Sequence, residues 1–214
     1  MKLLLDNKND RSYIIGMAIE IKKQIKRKKM LDQGVIMLMT RGYHNTGVQE
    51  ILDASQIPKG SFYSYFGSKE AFCAEAIDHY IEPLIVQLQN YLNDEELSGM
   101  DILKNHLNEL IRSVEKNKFE TGCLLGNLMG EIGNTSKVCR VALQTAVNRY
   151  RNLIKEAILK AQKGGQIRID ISAEILADLL VNNWQGALLR MKIEKSVAPL
   201  QSCRDSMLDG YFKS

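Results

Sequence analysis

Two groups of residues in this 214-residue chain could do chemistry. Lys22, Lys23, Lys26, Arg27, Lys28 and Lys29 put six positive charges into eight residues. Such a cluster can meet a polyanion through counterion release, without reading its sequence, or form a solvated arm or helix end. The four thiols, Cys73, Cys123, Cys139 and Cys203, form no CxxC pair, and His44, His79 and His106 lie far from them in sequence. That spacing suggests neither a zinc site nor a disulfide framework, so reduced thiols in a cytosol are expected. Enzyme chemistry has little to stand on: the chain has no phosphate loop, nucleophile elbow or HExxH. No catalytic residue, metal or cofactor is expected.

The elements that must position these groups are helices. The chain is 45% hydrophobic and 25% charged, enough for a buried core. It has only three prolines and fifteen glycines, with helix formers filling the stretches between them. An all-α protein follows. Residues 1–69 hold 12 Lys/Arg against 6 Asp/Glu, whereas residues 70–214 hold 17 against 19. A basic front and a slightly acidic rear fit an amino-terminal module for a polyanion on a body that does not touch it. The apolar run Ile14 to Ile19 is broken by Gly16, too short for a bilayer and without a cleavage site, so a cytoplasmic protein with no membrane partner is expected.

Residues 1 to about 20 have no clear punctuation and read as an extension, either a tether or an extra helix. From about Ile25 to Arg41, apolar residues recur at three- and four-residue spacing, and Gly42 gives the stop. Thr46 with Gln49 reads as a capping box opening a short helix that ends near Gln56-Ile57-Pro58. Pro58 then suits the first turn of a second short helix, about Pro58 to Phe66, and Ser68 caps a long one from Lys69. Two short helices joined by a tight turn after a longer amphipathic one are the plan of a helix-turn-helix, whose second member lies in the major groove. Beyond it, helices are expected at roughly 69–92, 99–117, 122–134, 137–163, 173–193 and 197–212, with Pro83 kinking the first or removing a bond and Ser172 capping the fifth.

The stretch from Gly42 through Thr46 to Ile51, followed by Ile57-Pro58-Lys59-Gly60-Ser61-Phe62-Tyr63-Ser64-Tyr65-Phe66-Gly67-Ser68-Lys69-Glu70, closely resembles the DNA-binding domain of TetR-family transcriptional regulators. The resemblance implies a three-helix DNA-binding domain, then a helical domain that dimerises and binds an effector. It implies that Thr46 caps the second helix near a phosphate and that Lys59 and Gly60 open the recognition helix. Ser61, Tyr63, Ser64 and Tyr65 would face DNA, and Lys69 would reach backbone phosphate. Gly60 allows close approach of backbone to a groove, and the two tyrosines offer hydroxyl donors with few rotatable bonds. Phe62 and Phe66, four apart, belong in the core. Gln56 stands where the family usually has a glycine, at a position that tends to be left-handed, so a cost of about 1 kcal/mol or an altered turn is expected there. Ser64 stands where the family often has His.

The rear half, through Gly122-Cys123-Leu124-Leu125-Gly126-Asn127-Leu128 and Trp184-Gln185-Gly186-Ala187, is similar to a TetR subgroup containing repressors of reductase and detoxification genes, some sensing electrophiles or oxidants through cysteine. In that subgroup the final two helices usually form a four-helix dimer interface. Cys123, near a predicted helix start that favours thiolate, is the candidate sensor, with a core thiol or pocket wall as the alternative. Trp184 is read as dimer or core packing, or as part of an effector pocket. Three segments are expected: an extension over 1–21, a helix-turn-helix domain over 22–68, and a helical ligand-binding and dimerisation domain over 69–214. The function expected is a homodimeric repressor released from a palindromic double-stranded DNA operator by a small-molecule or thiol-reactive effector. A helical protein-interaction module keeping the helix-turn-helix as scaffold is the second reading, and an enzyme the third.

Overall fold

The computed structural model describes residues 6–213, with side chains described from Tyr13 onward. Nine α-helices are found among them: α1 (Asp6–Arg41), α2 (Val48–Ser55), α3 (Ser61–Phe66), α4 (Lys69–Asn93), α5 (Gly99–Lys116), α6 (Leu124–Ile132), α7 (Lys137–Lys163), α8 (Ala173–Glu194) and α9 (Ala198–Asp205). A π-helical segment, Ser206–Tyr211, follows α9 directly.

The basic cluster is not an arm preceding the first helix. It lies within α1, which runs unbroken through 36 residues. Met1 to Leu5 of the expected extension lie outside the described residues. Inward residues of α1 begin only at Met30 and recur at Gly34 and Leu38, so the helix packs along its last three turns. A Cβ on Gly34 would come within 2.2 Å of the Phe72 ring, which is why α1 and α4 can cross there. Phe62, Phe66 and Phe72 fill the space beneath, with ring centroids 4.8–5.2 Å apart. Each buried ring of that kind contributes about 1.5–3 kcal/mol.

The capping of α2 differs from expectation. Gly47 is the N-cap residue, and its N–H donates to the Glu50 carboxylate at 2.8 Å. The Thr46 hydroxyl instead donates back to the Gly42 carbonyl at 2.6 Å, closing the turn after α1. Gln56 adopts the left-handed conformation expected of it, φ 57° and ψ 43°. Pro58 does not enter α3: residues 58–60 form a turn with Ser61 N–H donating to the Pro58 carbonyl, and Gly60 sits at φ +89° just before the helix. Only glycine tolerates that φ without strain.

Ser68 and Ser172 cap α4 and α8 through their hydroxyls, as their positions predicted. α4 continues through Pro83, which has no N–H to donate to the carbonyl one turn earlier. The rear helix expected over 197–212 is α9 plus the π-helical segment, whose wider turn ends with Phe212 fully buried and its carbonyl accepting from Arg168 N–H at 2.8 Å. Two hydrophobic clusters result. One joins α1–α4 to α6 and the first half of α7; the other joins α5, α8, α9 and the second half of α7. α5 meets α7 closely enough that a Cβ on Gly99 would lie 2.2 Å from Ala161 N and 2.4 Å from Ala157 O.

Candidate nucleic-acid interface and internal cavity

α3 owes its outward face to its inward one. With Phe62 and Phe66 turned into the core, Tyr63 and Ser64 must point to solvent, and Tyr63 is 61% exposed. Lys59 is exposed just before the helix and makes no ion pair among the described residues. The Ser64 hydroxyl donates back to the Ser61 carbonyl at 2.6 Å, which leaves its oxygen able only to accept from outside. Ser61 is half-buried at the N-terminus of α3. Tyr65, three residues from Phe62, also leans inward and is half-buried against the head cluster.

Two of the residues expected at DNA have partners within the protein. Thr46 is 1% exposed with its hydroxyl committed to Gly42, so its side chain reaches no phosphate. The Lys69 ammonium donates to the Tyr43 carbonyl at 2.7 Å and lies 4.3 Å from the centre of that tyrosine ring. Lys69 therefore ties the turn after α1 to the start of α4. Behind α3, Arg27 stacks over Phe66 and pairs with Glu75, holding α1 to the head. Lys22, Lys26 and Lys29 remain exposed and unpaired among the described residues, on one α1 stripe at four- and three-residue spacing.

A cavity of about 190 Å³ lies between α4, α5, α6, α7 and α8. Its wall is mostly apolar, with Leu84, Leu110, Leu125 and Leu188 among its residues, and among the described residues no charged side chain lines it. Cys123 and Trp184 meet here as lining residues. Cys123 is the N-cap residue of α6, and its sulfur accepts from the Gln185 side-chain amide at 3.1 Å. Tyr80, also in the wall, has its phenol pushed well up by burial and then by Cys123 beside it. Tyr150 is likewise pushed up by burial, with a smaller contribution from Cys123.

Sequence reasoning missed two parts of this region. Glu131, near the end of α6, accepts from the backbone N–H groups of Tyr43 and His44, both at 2.7 Å. Asn127 on the same helix donates to the Met39 carbonyl at 3.1 Å. α6 thus begins at the cavity and grips the head at the turn after α1. The second part is His106, which is fully buried between Gln87 and Tyr150. Both links join residues far apart in the chain, and no local pattern announces them.

The family model described as "Bacterial regulatory proteins, tetR family" matches residues 30–76, and "Tetracyclin repressor-like, C-terminal domain" matches residues 99–207. The chain is 34% identical over 174 residues to the HTH-type transcriptional repressor DhaR of Mycobacterium sp. strain GP1, covering 81% of this chain and 86% of that protein. A crystal structure described as regulatory protein TetR from Rhodobacter sphaeroides superposes with a TM-score of 0.80 at 30% identity, covering 86% of this chain and 97% of that one. The reduced form of Escherichia coli NemR superposes with a TM-score of 0.76 at 25% identity, covering 86% and 96%.

Proposed function

The chain belongs to the TetR family, and from that premise we propose that it is a homodimeric repressor that leaves a palindromic operator when its internal cavity is filled or Cys123 is modified. That it is a DNA-binding transcriptional regulator, and not an enzyme, follows from its relatives. Regulators of this family bind operator DNA and work as dimers. No helix among the described residues is long and apolar enough to cross a membrane.

The single observation that carries the reading is the helix α6, which begins in the cavity wall at Cys123 and ends on the turn that positions α2. In this proposal residues 22–68 form the reading head and residues 69–214 the sensing and dimerising body. Lys59, Gly60, Ser61, Tyr63 and Ser64 make the groove contacts, Tyr65 contributes its exposed edge, and Lys22, Lys26 and Lys29 add phosphate contacts. Two heads must present α3 to successive major grooves about 34–36 Å apart. Ile175, Leu189 and Ile193 are exposed apolar residues on one face of α8, with Asn182 and Gly186 exposed between them, which supports a self-complementary dimer face there. An effector that favours a different position of α6 would alter the separation of the heads and lower DNA affinity.

Cys123 supports the thiol-reactive branch. Its sulfur has an amide donor in place, and the residue stands at the N-cap position of α6 in the cavity wall. Addition of that sulfur to the β-carbon of an unsaturated carbonyl forms a C–S bond, and the thiol proton ends on the α-carbon. The test is a gel shift on the DNA upstream of the protein's own gene at two salt concentrations. Specific binding with a steep salt slope is expected, and its absence at low salt would favour the scaffold reading. Cys123→Ser should bind the operator normally but resist release by a quinone; full release of the variant would remove Cys123 from the mechanism.

A further inference from the structure

The effector cavity carries a hydrogen-bond polarity that can be worked out by following protons inward from a carboxylate, and the inference below rests on reading that cavity as the effector site. Glu109 on α5 accepts from the Tyr91 hydroxyl at 2.6 Å and from the side-chain amide of Gln87. A carboxylate only accepts, so the amide nitrogen of Gln87 must face it, which turns the Gln87 carbonyl oxygen toward His106. That oxygen lies 3.2 Å from His106 Nδ1, so the ring carries its proton on Nδ1. His106 is fully buried, and burial pushes its pKa down to about 4, leaving a neutral ring whose Nε2 is a bare acceptor. Tyr150 Oη lies 2.7 Å from Nε2 and must donate to it.

A phenol has one proton. Once Tyr150 has given it to His106, the hydroxyl can only accept from anything else that approaches. Tyr150 lines the cavity, and its hydroxyl is close enough to Cys123, another wall residue, for that thiol to influence it. The volume sets the size of the visitor. A cavity of about 150 Å³ holds benzene, and this one is about 190 Å³. A guest of roughly seven to nine non-hydrogen atoms fits. The absence of charged side chains from the wall, among the described residues, favours an uncharged guest.

We propose that the cavity selects small, uncharged, mainly apolar molecules bearing a hydroxyl or N–H donor, which is given to Tyr150 Oη. An ether or carbonyl oxygen at the same place meets lone pairs and leaves both acceptors unsatisfied. A donor-bearing guest should therefore bind about tenfold or more tightly than an acceptor-only guest of the same shape. Gln87 and His106 are positioning residues that fix the direction of the Tyr150 hydroxyl.

The test uses the full-length protein without DNA and follows the emission of Trp184, the sole tryptophan, which stands in the wall. Three guests of equal size, benzyl alcohol, anisole and ethylbenzene, are titrated. Benzyl alcohol should bind at least about tenfold more tightly than anisole, and Tyr150→Phe should erase that difference. Anisole binding as well as benzyl alcohol, a preference that survives in Tyr150→Phe, or no saturable binding by any of the three would overturn the proposal. Nitrogen-15 NMR of the histidine rings gives a reading independent of the variant's folding: His106 should carry its proton on Nδ1, and a proton on Nε2 would also overturn it. Whether benzyl alcohol releases operator DNA is scored separately by gel shift. Tight, donor-selective binding without release would sink the effector reading and leave the cavity chemistry standing.

Discussion

The outward face of α3 and the cavity behind α6 are built on opposite principles. On the reading face Lys59 and the Tyr63 hydroxyl stand in solvent with no hydrogen bond or ion pair among the described residues, and Lys22, Lys26 and Lys29 extend the unpaired charge along α1. At the buried side of the cavity several polar side chains are paired in advance: His106 with Gln87 and Tyr150, and Cys123 with Gln185. No buried side-chain nitrogen or oxygen among the described residues lacks a partner. A long polyanion can be met by groups that keep their water until contact, because many weak charges act together. A guest of a few atoms offers few contacts, so each must meet a group already aimed.

The strongest way to break this comparison is to strip the reading face. Lys59→Ala combined with Tyr63→Ala should lower operator affinity about a hundredfold or more, since groove contacts are each worth about 1–3 kcal/mol and a dimer loses both twice. Fluorescence anisotropy with labelled operator measures it, and an unaltered melting profile shows that the head is still folded. Retained affinity would mean that α3 does not read DNA.

The next largest effect belongs to the body. Gly99→Ala places a methyl group against the backbone of Ala157 and Ala161, atoms that cannot rotate away. A loss of about 3 kcal/mol is expected in denaturant unfolding, because α5 and α7 must separate. Normal stability would show that the two helices have room to slide.

The third prediction concerns pH. The folded-state pKa of His106, about 4, is below its ordinary value of 6.5, so the native state holds the ring neutral while the unfolded chain takes up a proton between them. This contribution is complete above pH 6.5 and drains away as pH falls toward 4. Asp209, held at about 2 by Lys104 and then Lys213, loses its contribution only below the ordinary carboxylate value of 3.8, outside that window. Unfolding midpoints between pH 7 and 4.5 should fall, and a flat profile would place charge on the buried ring.

The smallest effect sharpens the comparison at the head. Gln56→Gly relieves a left-handed residue and should stabilise the protein by about 1 kcal/mol without altering operator affinity. Differential scanning calorimetry resolves a shift of that size.

Much of this was legible because local rules acted locally. The caps Ser68 and Ser172 and the glycine stop at Gly42 followed from local pattern, and the left-handed Gln56 from a family pattern that puts glycine there. Thr46 misled because two overlapping patterns compete. Thr46 with Gln49 and Gly47 with Glu50 are equally spaced, and the choice was made by the Gly42 carbonyl, which captured the threonine hydroxyl. The run of α1 through the lysine cluster was hidden because the buried face stops at Met30 while the helix does not. The histidine chain and the Glu131 clamp depend on how helices cross, and spacing in one segment carries no trace of its partner in another.

α6 is nine residues long, about 13 Å, with a cavity wall at one end and a carboxylate clamp at the other. Two sites that share so short a rod are bound by thermodynamic reciprocity. Whatever factor a guest removes from operator affinity, the operator must remove from the affinity for that guest. A titration on the DNA-bound dimer would then give a weaker constant than one on free protein. The inducer threshold would vary with how many dimers are on DNA, and the ratio of the two constants measures the coupling without any structure of the released state.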